Sequence, residues 1–417
     1  MDDYLKRFAD TILQNRLHSS GAVLIQGAKG CGKTETAIQT AKSAVRLDVD
    51  ENIQTQMKLD PKSVLAGPAP RLIDEWQEYP QIWNYIRRAV DDRKKRGQFI
   101  LTGSANPEER ARLHSGAGRF SIIKMRPMSL YEKGWSSGKV SLAKILKGHA
   151  PKSDPVEFDL ATLAEKLTLG GWPSLIGSGG RRALRFMKDY VSLVAEVDIS
   201  RVGEKKRDPQ KVSRLLQSLA RNVATEASLS SLAKDTGGSE TRVSDETIAE
   251  YLEALERLMI VEQLPAWSPH IRSADTLRKA PKRHFVDPSL AIGALGLSID
   301  KLLADLHYFG FLFESLVVRD LRIYAEMNDG KVYHYRDSRD TEVDAIVEYP
   351  GGAWAAFEVK MGFNAQDEAA KNLLAFAAKI DQQKMGPPAA LTVITANGFA
   401  CRRKDGVNVI PLSVLTA

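Results

Sequence analysis

The stretch Ala22–Ala41, AVLIQGAKGCGKTETAIQTA, decides the fold. Val23 to Gln26 reads as a buried strand, a Gly-rich turn follows, and a helix opens near Lys33. Between strand and helix stands the pattern G-x-x-x-x-G-K-T, as Gly27, Gly32, Lys33 and Thr34. Glycines at these places let backbone N–H groups turn inward onto phosphates, and the helix N-terminus adds the positive end of its dipole. Lys33 would pair with the β- and γ-phosphates, and Thr34 would set its hydroxyl on Mg²⁺, which keeps several waters and accepts few protein oxygens. The expected site for Mg·ATP is Gly27, Ala28, Lys29, Gly30, Cys31, Gly32, Lys33, Thr34 and Glu35. A Gly-rich turn of no chemical consequence is the bland alternative; strand, pattern and helix in this order weigh against it.

Such a loop needs a carboxylate on a neighbouring strand for the metal and a second one for the attacking water. Arg71-Leu72-Ile73-Asp74-Glu75 supplies both, with Asp74 on the metal side and Glu75 as general base. The strand is a poor one by composition, because Pro70 and Arg71 stand where apolar residues belong. A helix Gln81 to Arg96 follows, then a strand Gln98 to Leu101 that ends in Thr102-Gly103-Ser104. Ligands of open α/β sheets bind at the carboxyl ends of strands, so Thr102 or Ser104 would sense the γ-phosphate or hold the attacking water. Arg119, before the strand Ser121 to Met125, is a candidate arginine finger acting across a homo-oligomer boundary, with a surface loop arginine as the alternative.

The chain is 417 residues long, 43% apolar and 27% charged, which suits a folded protein of two or three domains. No uninterrupted apolar run approaches the ~20 residues that cross a bilayer. The N-terminus lacks the apolar core of a secretory signal, and the only cysteines are Cys31 and Cys401, so a reducing, cytoplasmic setting without disulfides is expected. A net charge of +7 is compatible with a polyanionic partner such as DNA, yet the basic clusters at 201–207, 278–283 and 402–404 read as solvated loops.

The runs Gly27 to Thr34, LIDEWQEYPQIW, FILTGSANP, GRF and MRPMSLYE, with GGWPSLI, HFVDPSLA and LFESLVVRDL further on, resemble the bacterial and archaeal AAA-type ATPases that carry a C-terminal DUF4143 domain. That resemblance implies an AAA+ fold over residues 1–135 and ATP binding, and it places the DUF4143 likeness at about 188–362. The chain departs from AAA+ proteins generally in having no clear lid arginine of the second-sensor type.

Residues 136–300 are expected to be helical and winged-helix-like. Ser136 to Asp154, rich in Gly, Ser, Lys and Pro, reads as a linker or elaborated loop. Helices are expected over Ala183–Asp198 and Val212–Val223, then helix, helix and short strand over Ser228–Asp235, Ser244–Leu258 and Met259–Leu264, with Ser230 as a cap and Ser239 to Ser244 as a polar turn. The helix at Ser244 presents Asp245, Glu246, Glu250, Glu253 and Glu256, which would repel phosphates, so packing or recognition of a partner protein suits it better than reading DNA.

Residues 301–417 read as a C-terminal α/β domain in the order helix, strand, strand, helix, strand, strand. Glu314 lies on an apolar helix, Asp344 in the strand Thr341 to Glu348, and Glu358-Val359-Lys360 in the next strand. Alternation puts Glu358 and Lys360 on one side of their strand, so that Asp344 and Glu358 would share a divalent ion while Lys360 orients water. The set resembles the PD-(D/E)xK nucleases, with Glu314 as the helix acid; a surface ion-pair cluster is the alternative, and a fold does not fix an activity. Two functions stay open: an ATPase driving a nuclease-like module on DNA, and a nucleotide-gated switch whose inactive C-terminal domain docks a partner.

Overall fold

Short apolar runs between residues 22 and 124 become five parallel strands: β1 (Ala22–Gln26), β2 (Ser43–Arg46), β3 (Arg71–Asp74), β4 (Phe99–Gly103) and β5 (Phe120–Lys124). They lie in the order β2-β3-β4-β1-β5. The computed structural model describes residues 4–49, 51–103, 115–156, 158–203, 207–238, 243–269, 280–337, 339, 341–362 and 365–417. β1 and β4 are buried at every residue, as strands covered on both faces must be. Val23 and Ile25 pack with Ile12 and Leu13 of α1 (Phe8–Ser19), and Ala22 and Leu24 pack with Ile82 and Trp83 of a later helix. That period of two holds the sheet between its helices. α2 (Lys33–Ile38) opens directly after the Gly-rich loop, and α3 (Ile82–Arg93) ends at Lys94 in a left-handed conformation, short of the expected Arg96. Because β3, β4 and β1 are neighbours, their carboxyl ends form one edge.

β3 survives its unfavourable first residue because the Arg71 guanidinium donates to the Val64 carbonyl at 2.8 Å and to Ser43 Oγ at 3.1 Å, leaving Leu72, Ile73 and Asp74 buried. β4 runs to Gly103, so Thr102 is an internal residue of the strand and not part of a loop beyond it.

Ser136–Asp154 is not a free linker. Val140–Ser141 (β6) pairs in parallel with Leu415–Thr416 near the end of the chain, and Ser136 Oγ donates to the Leu415 carbonyl at 2.7 Å. The apolar residues Val140, Leu142, Ile145 and Leu146, spaced among the polar ones, are buried and hold the segment down. Then come α4 (Leu160–Leu169), α5 (Gly180–Glu196), α6 (Pro209–Arg221), α7 (Leu229–Gly237), α8 (Asp245–Arg257), the strands β7 (Val261–Leu264) and β8 (Lys282–Phe285), and α9 (Ser289–Leu295). β7 and β8 pair antiparallel. Ser228 caps α7, accepting from the Ser231 amide, so the expected cap at Ser230 is two residues late. Ser244 caps α8 in the same way, while residues 239–242 of the expected turn lie outside the described residues.

α10 (Leu306–Glu326) begins the C-terminal part, followed by β9 (Lys331–Arg336), β10 (Glu342–Glu348), β11 (Trp354–Lys360), α11 (Gln366–Lys379), β12 (Ala390–Thr395), β13 (Cys401–Arg402) and β14 (Asn408–Pro411). The sheet order is β13-β14-β12-β11-β10-β9, antiparallel from β9 to β11 and parallel from β11 through β12 to β14. β9 has no counterpart in the expected element order: its sequence, KVYHYR, hides an edge strand behind charged and aromatic side chains. α10 packs on one face with Ala345, Val347 and Phe357, and α11 on the other with Ile346, Trp354 and Val393. Among the described residues no helix is long and apolar enough to cross a membrane.

Candidate functional site

The turn after β1 closes tightly on the end of β5. A Cβ at Gly27 would collide with the Met125 carbonyl and lie 2.8 Å from Cys31 Sγ, so only glycine fits there. Gly32, at φ +102, needs glycine for a conformational reason and hands the chain to α2. Lys33 is buried and folds back across the loop, its ammonium donating to the carbonyls of Gly27 and Ala28 at 3.0 Å each. Thr34 Oγ1 donates to Asp74 Oδ1 at 2.9 Å, and the hydroxyl of Thr102 bonds the same carboxylate oxygen. β1, β3 and β4 thus deliver Lys33, Thr34, Asp74 and Thr102 to one place. Glu75 follows Asp74 in a left-handed conformation, φ 51 and ψ 46, which is uncommon for a side-chain-bearing residue and concentrates at functional sites. Burial pushes the Glu75 carboxyl above the usual range, opposed by a hydrogen bond from Gln77 and by the Lys33 charge.

These residues fit Mg·ATP. The glycine turn leaves room where a Cβ would intrude, a hydroxyl and a carboxylate meet beside it, and an ammonium lies buried within reach. Glu35 stands in the first turn of α2. Ser104 lies outside the described residues. Arg119 does not join the group: it precedes β5 at the amino end of the sheet, where its Nε meets Asp91 at 2.8 Å.

Four contacts to the loop and its carboxylates were not legible in the motif. Arg7 donates to the Cys31 carbonyl at 2.9 Å and to Glu132 at 3.1 Å. Because a trans peptide points its C=O and the next N–H in opposite directions, that bond turns the Gly32 N–H away from Arg7. Tyr190 on α5 donates to the Lys29 carbonyl at 3.1 Å, Lys29 pairs with Asp198 just beyond α5, and Gln77 holds Glu75. Sequence distance concealed all but Gln77.

The C-terminal acids also converge, but around lysines. Lys282, on β8 and only 3% exposed, puts its ammonium 2.8 Å from Glu314, 2.7 Å from Glu342 and 3.7 Å from Asp344. Lys360 pairs with Glu358 at 3.2 Å, and Asp344 Oδ2 accepts from the Val359 amide at 2.8 Å. Burial, with the Asp344 charge added, pushes the carboxyls of Glu314 and Glu358 up, opposed by the ammonium of Lys282 on the first and of Lys360 on the second. Burial alone would lower Lys282, yet the charges of Glu314, Asp344 and Glu342 raise it, so the ammonium persists. Among the described residues no three acidic, His or Cys side chains are arranged to hold a metal ion. Two ammonium groups, those of Lys282 and Lys360, thus lie beside the acids expected to share a divalent ion, Asp344 and Glu358.

The remaining motifs meet in a buried network between the parts of the chain. Asp287 accepts from Arg319 at 2.6 Å and from the Gly171 amide at 2.8 Å, while Asp320 accepts from Arg319 at 2.7 Å and from the Leu130 amide at 2.9 Å. Trp172 donates to Ser289 Oγ at 2.9 Å. Their role in the fold is to join the strand-rich N-terminal part, the helices and α10.

Comparison with known proteins bears on the same three regions. Residues 19–133 match the family described as AAA domain, 160–301 a domain of unknown function, DUF8612, and 309–415 a domain of unknown function, DUF4143. The stretch 188–362, where the DUF4143 likeness is expected, falls across the last two. The chain is 25% identical over 362 residues to the uncharacterized proteins Rv2008c of Mycobacterium tuberculosis and Mb2031c of Mycobacterium bovis, covering 85% of this chain and 74% of each relative. A Walker-type ATPase of Pyrococcus abyssi, PABY2304, is similar at 13% identity with a TM-score of 0.44, over 70% of this chain and 96% of that one. A DNA replication initiation factor is similar at 15% identity with a TM-score of 0.23, over 60% of this chain and 85% of that one. The chain thus carries an AAA domain in its N-terminal part and a DUF4143 domain in its C-terminal part, and it matches in this the AAA-type P-loop ATPases with a DUF4143 domain.

Proposed function

We propose that the N-terminal domain binds Mg·ATP in the loop Gly27–Thr34 and hydrolyses it, with Glu75 as the general base. The observation that carries this is the meeting of Thr34, Asp74 and Thr102 on one carboxylate oxygen, with Glu75 next in the chain and raised toward the proton affinity a base requires. Lys33 gives up the Gly27 and Ala28 carbonyls and turns its ammonium to the phosphates. Thr34 and Asp74 would hold the metal, and Thr102 would keep the Asp74 carboxylate oriented. The chemistry Mg²⁺ would supply when bound is neutralisation of phosphate charge. Glu75, steadied by Gln77, takes the proton from water aligned with the γ-phosphate.

Titration of the protein with ATP in magnesium buffer tests the binding step. Binding is expected for the unaltered chain and for Glu75→Gln, with loss in Lys33→Ala; Glu75→Gln should lower turnover ~10²-fold or more. Turnover unchanged in Glu75→Gln would remove Glu75 from the base role, and absence of any nucleotide binding would end the proposal. Arg119 acting in a neighbouring subunit of a homo-oligomer belongs to the same reading and requires it to leave Asp91.

For the C-terminal domain we favour docking of a partner protein over cleavage of DNA, because an ammonium already stands among its carboxylates. The acidic face of α8 suits the same preference.

A further inference from the structure

Lys282 reaches the carboxylate cluster from outside the sheet that carries it. The cluster takes Glu314 from α10, Glu342 and Asp344 from β10, and Glu358 from β11, whereas Lys282 comes from β8, the second strand of the hairpin that follows α8. A cleft of about 460 Å³ opens beside these groups and is lined in part by Lys282, Glu314, Asp344 and Lys360. In that cleft Glu314 and Glu342 direct oxygens at the Lys282 ammonium from two sides, at 2.8 and 2.7 Å, with Asp344 at 3.7 Å. Three donors per ammonium is the capacity of a lysine, and oxygens converging on one cation from separate elements is how a metal would be held.

Two further carboxylate oxygens of the cluster are engaged as well. Asp344 Oδ2 accepts the Val359 amide, and Glu358 is engaged by Lys360. A divalent ion entering here would face two ammonium groups, of which Lys282 is buried, where like charges are weakly screened, and Lys360 is partly exposed. Nor is Lys282 poorly held: β8 is paired to β7, Arg283 N donates to the Thr225 carbonyl at 3.1 Å, and β7 is anchored through Glu262 to Arg126 at 2.9 Å and Arg322 at 2.6 Å.

We propose that the Lys282 ammonium is the resident cation of the C-terminal carboxylate cluster, closing it to divalent metal and clasping the β7–β8 hairpin to the C-terminal sheet. The inference deepens the docking reading of this domain and shares its premise that the cluster does not cut nucleic acid. It makes no use of the nucleotide site.

The test is Mn²⁺ binding to nucleotide-free full-length protein, followed by the electron paramagnetic resonance signal of free Mn²⁺. The unaltered protein should bind Mn²⁺ no more tightly than Asp344→Asn does. Lys282→Met should tighten Mn²⁺ binding about tenfold or more, equivalent to ~1.4 kcal/mol, and Asp344→Asn added to it should abolish the gain. Mn²⁺ held one-to-one by the unaltered protein and lost in Asp344→Asn would overturn the inference, as would Lys282→Met folding without any gain. Should Lys282→Met fail to fold, the comparison of the unaltered protein with Asp344→Asn still decides. Incubation of the same samples with DNA and Mn²⁺ separates the two claims: metal binding without cleavage overturns the clasp alone, and cleavage overturns the docking reading as well.

Discussion

Asp74 is where the chemistry of single residues is most exposed to test. Its Oδ1 accepts from Thr34 and Thr102, and the two hydroxyls differ in what they would do once nucleotide is present. Thr34 would leave for the metal, whereas the buried Thr102 would go on holding the carboxylate. Thr102→Val keeps the shape of a fully buried side chain and deletes that hydrogen bond. Supports of this kind are worth ~10–100-fold in activity, so ATP turnover should fall by that factor while ATP affinity stays within about threefold. A steady-state rate equal to that of the unaltered protein would show that Asp74 needs no such support. Asp74 and Glu75 were readable because acid pairs after aliphatic residues follow a P-loop at this kind of distance. Arg7 and Tyr190 were not, since nothing in their own neighbourhoods announces a contact with residues 31 and 29.

At the scale of elements, the Gly-rich loop is held by the strand beside it as much as by its own sequence. The wall against Gly27 is a backbone carbonyl, Met125 O, which cannot rotate aside as a side chain would. Gly27→Ala should therefore lower stability by ~1–3 kcal/mol, seen as an earlier thermal unfolding transition, and should weaken ATP binding at the same time. An unaltered melting temperature would mean that the β1–β5 contact yields. Local patterning placed β1, α5 and α6 to within a few residues because each carries its period along one continuous stretch. It missed β9, whose charged residues face outward at the sheet edge, and it set the cap of α7 two residues late, where Ser228 and Ser230 look alike until one adopts extended backbone.

For the whole molecule, the ion triplet Asp287–Arg319–Asp320 is the joint between its parts. Both carboxylates are fully buried, so removing the guanidinium leaves two uncompensated charges. Arg319→Met should cost ~3–5 kcal/mol in urea-induced unfolding, and Asp287→Asn added to it should restore part of the loss. A midpoint shift under about 1 kcal/mol would show that the joint is not where the parts are coupled. Through Leu130 and Gly171 the same triplet reaches both the end of the N-terminal part and the turn after α4. Of the motifs HFVDPSLA and LFESLVVRDL, Asp287, Ser289, Arg319 and Asp320 thus serve packing, with Glu314 the member that faces the C-terminal cleft.

By itself, the order of residues in this chain determined the phosphate loop, its two carboxylates and the alternation of strand and helix around them. Each depends on contacts within a short span, where spacing translates directly into geometry. Whether a charged residue faces a ligand or another part of the protein was decided only on folding. Lys282 and Glu314 are far apart along the chain and 2.8 Å apart in space, and no local pattern encodes that an acid has already found its cation.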